Sequence, residues 1–462
     1  MTFKKGLFLF HRDFRLKDNT AFYEAQKQCD QLYTMFVFTP SQVTPQNAYK
    51  SKNSVEFMIQ SIMDLEQQIK ENGGKLILQY GNLVSVLRSV LPKLSINALF
   101  FNYDLTPYAR DRSAQVEKLC ETLSVDCLHY HDYYLLKPGD VLTGSNTMYH
   151  KFTPFYEKYM LSGDIHEPVM KAIKPLASYR GDLSHNIDLN EAMTKYVGRR
   201  NPKLFMMGGR DQGLGQLKTA LKTMKKYDET RDIMSIETSG LSAYLKYGCI
   251  SIREVYSGFK KKYGKFHELV RQLIWRDFYA HLLYFYPENL GNLYNKKMSE
   301  LKWSANKNHL EAWKKGETGV PLIDAGMRQM NETGYMHNRC RMLVATYLVK
   351  ILHIDWREGE KYFAQKLVDY DVASNSGNWQ AIVGGGVYAM PWFRVMSPWA
   401  QSEEYDPEAV YIKTWVKELA SIEPKVIHKW YKYCKTREYK EEYKCPIVDY
   451  KKEREVFLDS MK

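Results

Sequence analysis

Between residues 369 and 380 the chain reads DYDVASNSGNWQ, which sets carboxylates, carboxamides and an indole in one short stretch with few good helix formers. Composition alone suits a polar surface loop. It also suits a site for a ligand with many hydroxyls, such as a ribose or ribityl chain. Asp369 and Asp371 have the DxD form that can hold a divalent ion with a sugar nucleotide. A hard cation needs several oxygen ligands, however, and no further carboxylates cluster here, so no metal site is expected.

Other segments place hydrogen-bonding groups on otherwise apolar helical patterns. In YDETRDIMSIETSGLSAYL (227–245), Thr238, Ser239 and Ser242 gather where a helix is about to begin. Hydroxyls and free N–H groups there suit N-capping and equally suit phosphate. In VRQLIWRDFYAHL (270–282), Gln272, Trp275, Arg276 and Tyr279 recur at three- and four-residue spacing and share one helical side. That side fits stacking on a flat ligand or base, or packing between domains. In MHNRCRMLVATYLVKILHIDW (336–356), His337, Asn338, Arg339 and Arg341 open an apolar helix, and Arg341 is expected to pair with the acids at 369–371 beside a ligand. The glycine run MMGGRDQGLGQL (206–217) resembles a phosphate loop only superficially, because it lacks the GK[ST] ending and follows no clear strand.

The elements that must carry these groups follow from periodicity. GLFLF (6–10), LYTMFVF (32–38), KLILQY (75–80), ALFFNYD (98–104) and VDCLHYH (125–131) read as buried strands, and SVEFMIQSIMDLEQQIKENGG (54–74) as a helix closed by a glycine pair. Strands alternating with helices imply a parallel, Rossmann-like α/β domain over 1–136. Turn signals such as KPGDVLTGSN and SGD make 137–215 a long connector. Helical periodicity makes 216–462 a mostly α domain.

The 462-residue chain has a net charge of +13, which points towards a polyanion such as nucleic acid. Its seven cysteines contain no CxxC pair, which argues against a disulfide framework or structural zinc and for a reducing compartment. The first residues lack the apolar run of a signal peptide and no stretch has the length of a membrane span. A soluble, intracellular protein is expected.

Taken together and in register, LFLFHRDFRLKDNTAF (7–22), TSGLSAYLKYGCIS (238–251), LIWRDFYAH (273–281), KGETGVPLIDAGMRQMNETGYMHNRCRM (315–342), DYDVASNSGNWQ and MPWFRVMSP (390–398) resemble the photolyase/cryptochrome family of flavoproteins. The resemblance covers nearly the whole chain and is strongest to class I-type cyclobutane pyrimidine dimer photolyases. It implies an α/β antenna domain, a connector and an all-α domain that binds FAD and DNA. By that resemblance Tyr227, Thr238, Ser239, Gly240, Leu241 and Ser242 hold the pyrophosphate and ribityl region of FAD, while Arg276, Asn338, Arg341, Asp369 and Asp371 line the rest. Asn375 matches the position facing flavin N5, where photolyases usually carry Asn and plant cryptochromes Asp. Trp379, Trp356 and Trp303 match the family's electron-transfer chain, although core packing explains tryptophans equally well on their own.

The implied activity is blue-light-driven repair of UV-damaged double-stranded DNA by a monomer, with the lesion flipped into the site. Gln272, Trp275, Asn338, Met342 and Arg394 match the lesion-binding positions; the two histidines of the (6-4) repair branch are absent. Two departures stand out. Gln272 replaces the family's dimer-binding acid, and Ala381 replaces a second tryptophan that clamps the lesion, a role Trp392 or Trp399 could assume. The loop at FNYDLTPYARDR lacks the family's folate-holding acid, so a second antenna chromophore stays open among folate, deazaflavin, another flavin or none. The alternatives are a cryptochrome-like flavin photoreceptor without efficient repair and a photolyase with altered lesion preference.

Overall fold

The computed structural model describes residues 2–161 and 165–461; the turn signal SGD at 162–164 lies outside them. Five strands, β1 (Phe3–Phe10), β2 (Cys29–Phe38), β3 (Leu76–Tyr80), β4 (Ala98–Asn102) and β5 (Asp126–Tyr130), form one sheet in the order β3-β2-β1-β4-β5. Every neighbouring pair is parallel, with Leu7 level with Tyr33 on one side and Leu99 on the other. Near-continuous apolar runs such as Leu7–Phe10, all buried, suit a sheet covered on both faces.

Helix α1 (Lys52–Glu71) starts where Ser51 accepts from the Ser54 N–H and buries Val55, Ile59, Ile62, Leu65 and Ile69 at helical spacing. The connector contains α2 (Phe152–Leu161). It also covers the edge of the sheet, where Tyr80 donates its N–H to the His185 carbonyl at 2.8 Å; pairing of this kind removes the hazard of an open edge strand. Two further helices, α3 (Ser242–Lys246) and α4 (Glu268–Phe285), belong to the same compact unit as the sheet. That unit comprises residues up to 200, 206–225 and 239–287, and the second comprises 201–205, 226–238 and 288 onwards.

The compact units therefore depart from the boundaries at 136 and 215 read from the sequence. A buried ion network explains the difference. Arg253, far along the helical half, donates to Asp132 at 2.6 Å and to Asp18 at 2.9 Å, and Arg15 pairs with the same Asp132. Burial alone would raise the Asp132 carboxyl, but Arg15 and Arg253 outweigh it and hold it well below the usual range.

The second unit packs α5 (Pro321–Thr333), α6 (Asn338–Lys350), α7 (Trp356–Lys366), α8 (Val372–Val383) and α9 (Tyr450–Ser460) around a core that includes Trp313, Ile323, Val344, Leu348, Trp356 and Trp379. One disulfide, Cys434–Cys445 with Cα atoms 5.3 Å apart, joins the C-terminal segment, and five cysteines stay free. A single link is not a disulfide framework, in keeping with the cysteine spacing, although that spacing did not single out this pair. The Trp430 indole N–H donates to the Lys444 carbonyl at 2.9 Å, folding the segment back so that two cysteines 11 residues apart meet.

Candidate active site

Most of DYDVASNSGNWQ is helical: α8 begins at Val372, and Asp369, Tyr370 and Asp371 precede it. Asp371 caps α8 by accepting from the Ser374 N–H at 3.0 Å, and Ala373, Ser376, Trp379 and Gln380 bury one side. Cap and burial together override the weak helix propensity of Ser, Asn and Gly. Asp371 thus spends one oxygen on the backbone.

Asn375, half-buried on α8, donates its amide N–H to the Glu360 carboxylate on α7 at 2.9 Å and to the Glu360 backbone carbonyl at 3.3 Å. The Tyr370 hydroxyl donates to the same carboxylate at 3.2 Å. A carboxylate can only accept, so the nitrogen side of the amide faces Glu360 and its carbonyl faces away, ready to accept from a ligand N–H. Sequence reasoning missed Glu360. Its signal was present: an acid in the buried row Trp356, Gly359, Glu360, Phe363 of α7 needs a hydrogen-bonded reason to be there.

Arg341 donates to Asp369 at 2.9 Å and to the Met336 carbonyl at 2.8 Å, so the expected pair is present. Burial acts to lower the Arg341 pKa, but Asp369 outweighs it and the pKa is raised. The helix carrying Arg341 is capped by His337, whose Nδ1 accepts from the Arg339 N–H at 3.1 Å. Asn338 is exposed at this end of α6, and its amide lies 3.9 Å from the Met342 sulfur. Thr238 meets the Tyr335 hydroxyl at 3.2 Å, and Tyr227 is half-buried in the same unit.

Trp379 and Trp356 are buried, and Trp303 is half-buried against the same core. The Trp379 ring meets Phe363 edge-on at 5.0 Å and Trp313 at 6.4 Å. Gly359 makes this contact possible, since a Cβ there would come within 2.2 Å of the Trp379 ring. Ala381 is 2% exposed and its carbonyl accepts the Met390 N–H at 3.1 Å, so the following loop folds back over it. Trp399 packs on Tyr431 at 4.9 Å, whereas Trp392 stands beside Gly384 at the end of α8. Arg394 is exposed.

The remaining candidates stand on the first unit. Gly240 has φ +61°, a left-handed turn that favours glycine, and Gln216 holds the Ser239 carbonyl at 2.9 Å. The first turn of α3 begins at Leu241 without a side-chain cap, so the Thr238, Ser239 and Ser242 hydroxyls are not there as caps. On α4, Gln272 donates to Glu268 at 2.8 Å. Trp275 stacks on Phe152 of α2 at 3.6 Å and 6° and on Tyr279 at 5.8 Å, as a shared helical side requires. Arg276 donates to the Tyr133 carbonyl and lies 4.7 Å over the Tyr134 ring, while its Nη2 is buried without a protein partner. The glycine run at 206–217 holds no phosphate loop: Gly208 and Gly209 donate their N–H groups to Gln60 and Ser61 of α1.

In the second unit Asn375 presents a fixed acceptor and the Arg341–Asp369 pair supplies charge of both signs, groups of the kind a flavin dinucleotide takes; in the first unit Arg276 holds a buried donor without a protein partner. Among the described residues, no helix is long and apolar enough to cross a membrane.

Comparison with known proteins agrees over the full length. The family model for DNA photolyase matches residues 6–173, and that for the FAD binding domain of DNA photolyase matches 269–462. A deoxyribodipyrimidine photo-lyase of Escherichia coli is 32% identical, covering 96% of each chain, and one from Alkalihalophilus pseudofirmus is 31% identical over 98% of this chain and 97% of that protein. An archaeal photolyase structure from Sulfolobus tokodaii, which contains two FAD molecules, is 36% identical with a TM-score of 0.87 and 99% coverage of both chains. A Synechocystis cryptochrome structure is 26% identical with a TM-score of 0.90, again covering 99% of both.

Proposed function

Because the chain belongs to the DNA photolyase family, we infer that it is a deoxyribodipyrimidine photo-lyase: a light-driven repair enzyme that binds UV-damaged duplex DNA as a monomer and splits a cyclobutane pyrimidine dimer flipped out of the stack. FAD, bound in reduced form, would supply the light-driven electron that opens the dimer ring and would take it back once the two pyrimidines have separated. The observation that carries this reading is the fixed carboxamide of Asn375, held by Glu360 at 2.9 Å on the helix that also carries Trp379.

Each residue has a task in this reading. Asn375 offers its carbonyl to flavin N5–H. Arg341 and Asp369 keep charge of both signs beside the ring system, and Thr238, Ser239, Ser242 and Arg276 address its phosphates and ribityl hydroxyls. Trp379 and Trp356 are buried and Trp303 is half-buried against the same core, and in this reading the three carry electrons inward when the cofactor must be reduced. Trp275 stacks on a lesion base, Gln272, Asn338 and Arg394 hydrogen-bond it, and Met342 lines the pocket. The photoreceptor alternative is not favoured, since the curated relatives above carry the name of a repair enzyme. A second chromophore is part of the proposal, with a second flavin its first candidate after the archaeal relative.

The test is recognition. Purified protein loaded with FAD should be yellow, elute as a monomer and bind a duplex carrying one dimer at least a hundredfold more tightly than the undamaged duplex, on the order expected of specific DNA binding. Equal affinity for both duplexes contradicts the reading.

A further inference from the structure

Lys350, the last residue of α6, is 1% exposed. Its ammonium donates to the backbone carbonyls of Trp392 and Arg394, each at 3.1 Å, and lies 5.6 Å from the Phe457 ring on α9. Among the described residues no carboxylate forms an ion pair with it. Burial, with the nearby Arg394 guanidinium, pushes its pKa down to about 8. An ammonium in a core without a counter-ion is expensive, and a methionine of similar reach would pack α6 at less cost. The charge is explained by what it grips.

The gripped carbonyls bracket Phe393, which is 61% exposed, and belong to the loop that presents Arg394. The other end of the same helix carries Asn338 and Met342. We propose that Lys350 is a positioning residue for the lesion pocket: through α6 it holds residues 392–394 at a fixed distance from Asn338 and Met342. The proposal rests on the reading of Arg394 as a lesion contact. It assigns Lys350 no contact with DNA or flavin.

The experiment compares Lys350→Met, Lys350→Arg and Arg394→Ala in the FAD-loaded protein. Lys350→Met should weaken binding of dimer-bearing duplex about tenfold, with the loss in KM rather than kcat, and Lys350→Arg, which keeps the donors, should recover most of it. Combined with Arg394→Ala, the two losses should be less than multiplicative, because one residue acts through the other. Parental affinity in Lys350→Met, or losses that multiply, overturns the role. Should Lys350→Met not fold, Lys350→Gln, which keeps a donor without the charge, carries the same comparison. If Arg394→Ala itself binds the lesion as the parent does, the lesion role of Arg394 fails and that of Lys350 with it; if Arg394→Ala weakens binding and Lys350→Met does not, only the Lys350 role fails.

Discussion

The Asn375 carboxamide and the Glu360 carboxylate meet at 2.9 Å between α8 and α7, and this contact turns the amide carbonyl away from Glu360, towards the flavin in the proposed reading. Replacing Asn375 with Asp would set two carboxylates at that distance, where they cannot both ionise and must share a proton. Asn375→Asp should therefore slow dimer splitting about tenfold, corresponding to about 1.4 kcal/mol of barrier, as measured under fixed illumination with reduced enzyme. Glu360→Gln should act in the same direction, because a Gln carboxamide can donate as well as accept and no longer dictates the flip. Unchanged rates in both variants would remove the contact from the mechanism.

Gly359 controls where Trp379 sits. Since a Cβ there would come within 2.2 Å of the indole, Gly359→Ala should force α7 and α8 apart at a cost of about 1–3 kcal/mol. It should also slow light-driven reduction of oxidised FAD, read by the loss of its visible absorption. Trp303→Phe should slow the same process at least tenfold through loss of the surface donor. Photoreduction at the parental rate in Trp303→Phe would place the route elsewhere.

Ala381 looks like the place to restore a missing clamp, but the structure argues otherwise. The residue is 2% exposed and the loop folds back over its carbonyl, so an indole there has no room. Ala381→Trp should lower stability by about 1–3 kcal/mol without raising lesion affinity, as thermal melting and DNA titration would show. Tighter binding at unchanged stability would mean that the loop yields to make a pocket.

Acid should loosen the start of α6. Burial pushes the His337 pKa down to about 4, against an ordinary 6.5, with Asp232 opposing and Arg341 and Arg339 reinforcing the shift. The unfolded chain takes up that proton first, so this contribution to stability is fully present above about pH 6.5 and is lost as pH falls from there towards 4. The loss is on the order of 3 kcal/mol at most. His337→Asn keeps a good cap and removes the titration, so its melting temperature should fall less steeply over that range. Parallel slopes would assign the acid sensitivity to other groups, such as His281, which burial also lowers to about 4.

Much of this was legible from residue patterns. The apolar runs at 6–10 and 32–38 and the helix beginning near 54 stand where periodicity put them, because burial on both faces leaves an unmistakable pattern. The Arg341–Asp369 pair and the stacking of Trp275 on Tyr279 were readable for a similar reason: charge and spacing constrain the partners. What stayed hidden depends on contacts between distant residues. Asp371 turns a Ser- and Asn-rich stretch into a helix by one cap. Arg253 draws part of the helical half to the sheet through Asp18 and Asp132. The pairing of Glu360 with Asn375 depends on α7 and α8 lying side by side.

The most direct test is repair itself. Reduced, FAD-loaded protein is mixed with a duplex oligonucleotide carrying one cyclobutane dimer and divided between blue light and darkness, and intact dimer is counted over time. Loss of the dimer and recovery of both pyrimidines are expected in light alone. Persistence of the dimer in illuminated samples whose FAD is shown to be fully reduced would contradict the repair reading.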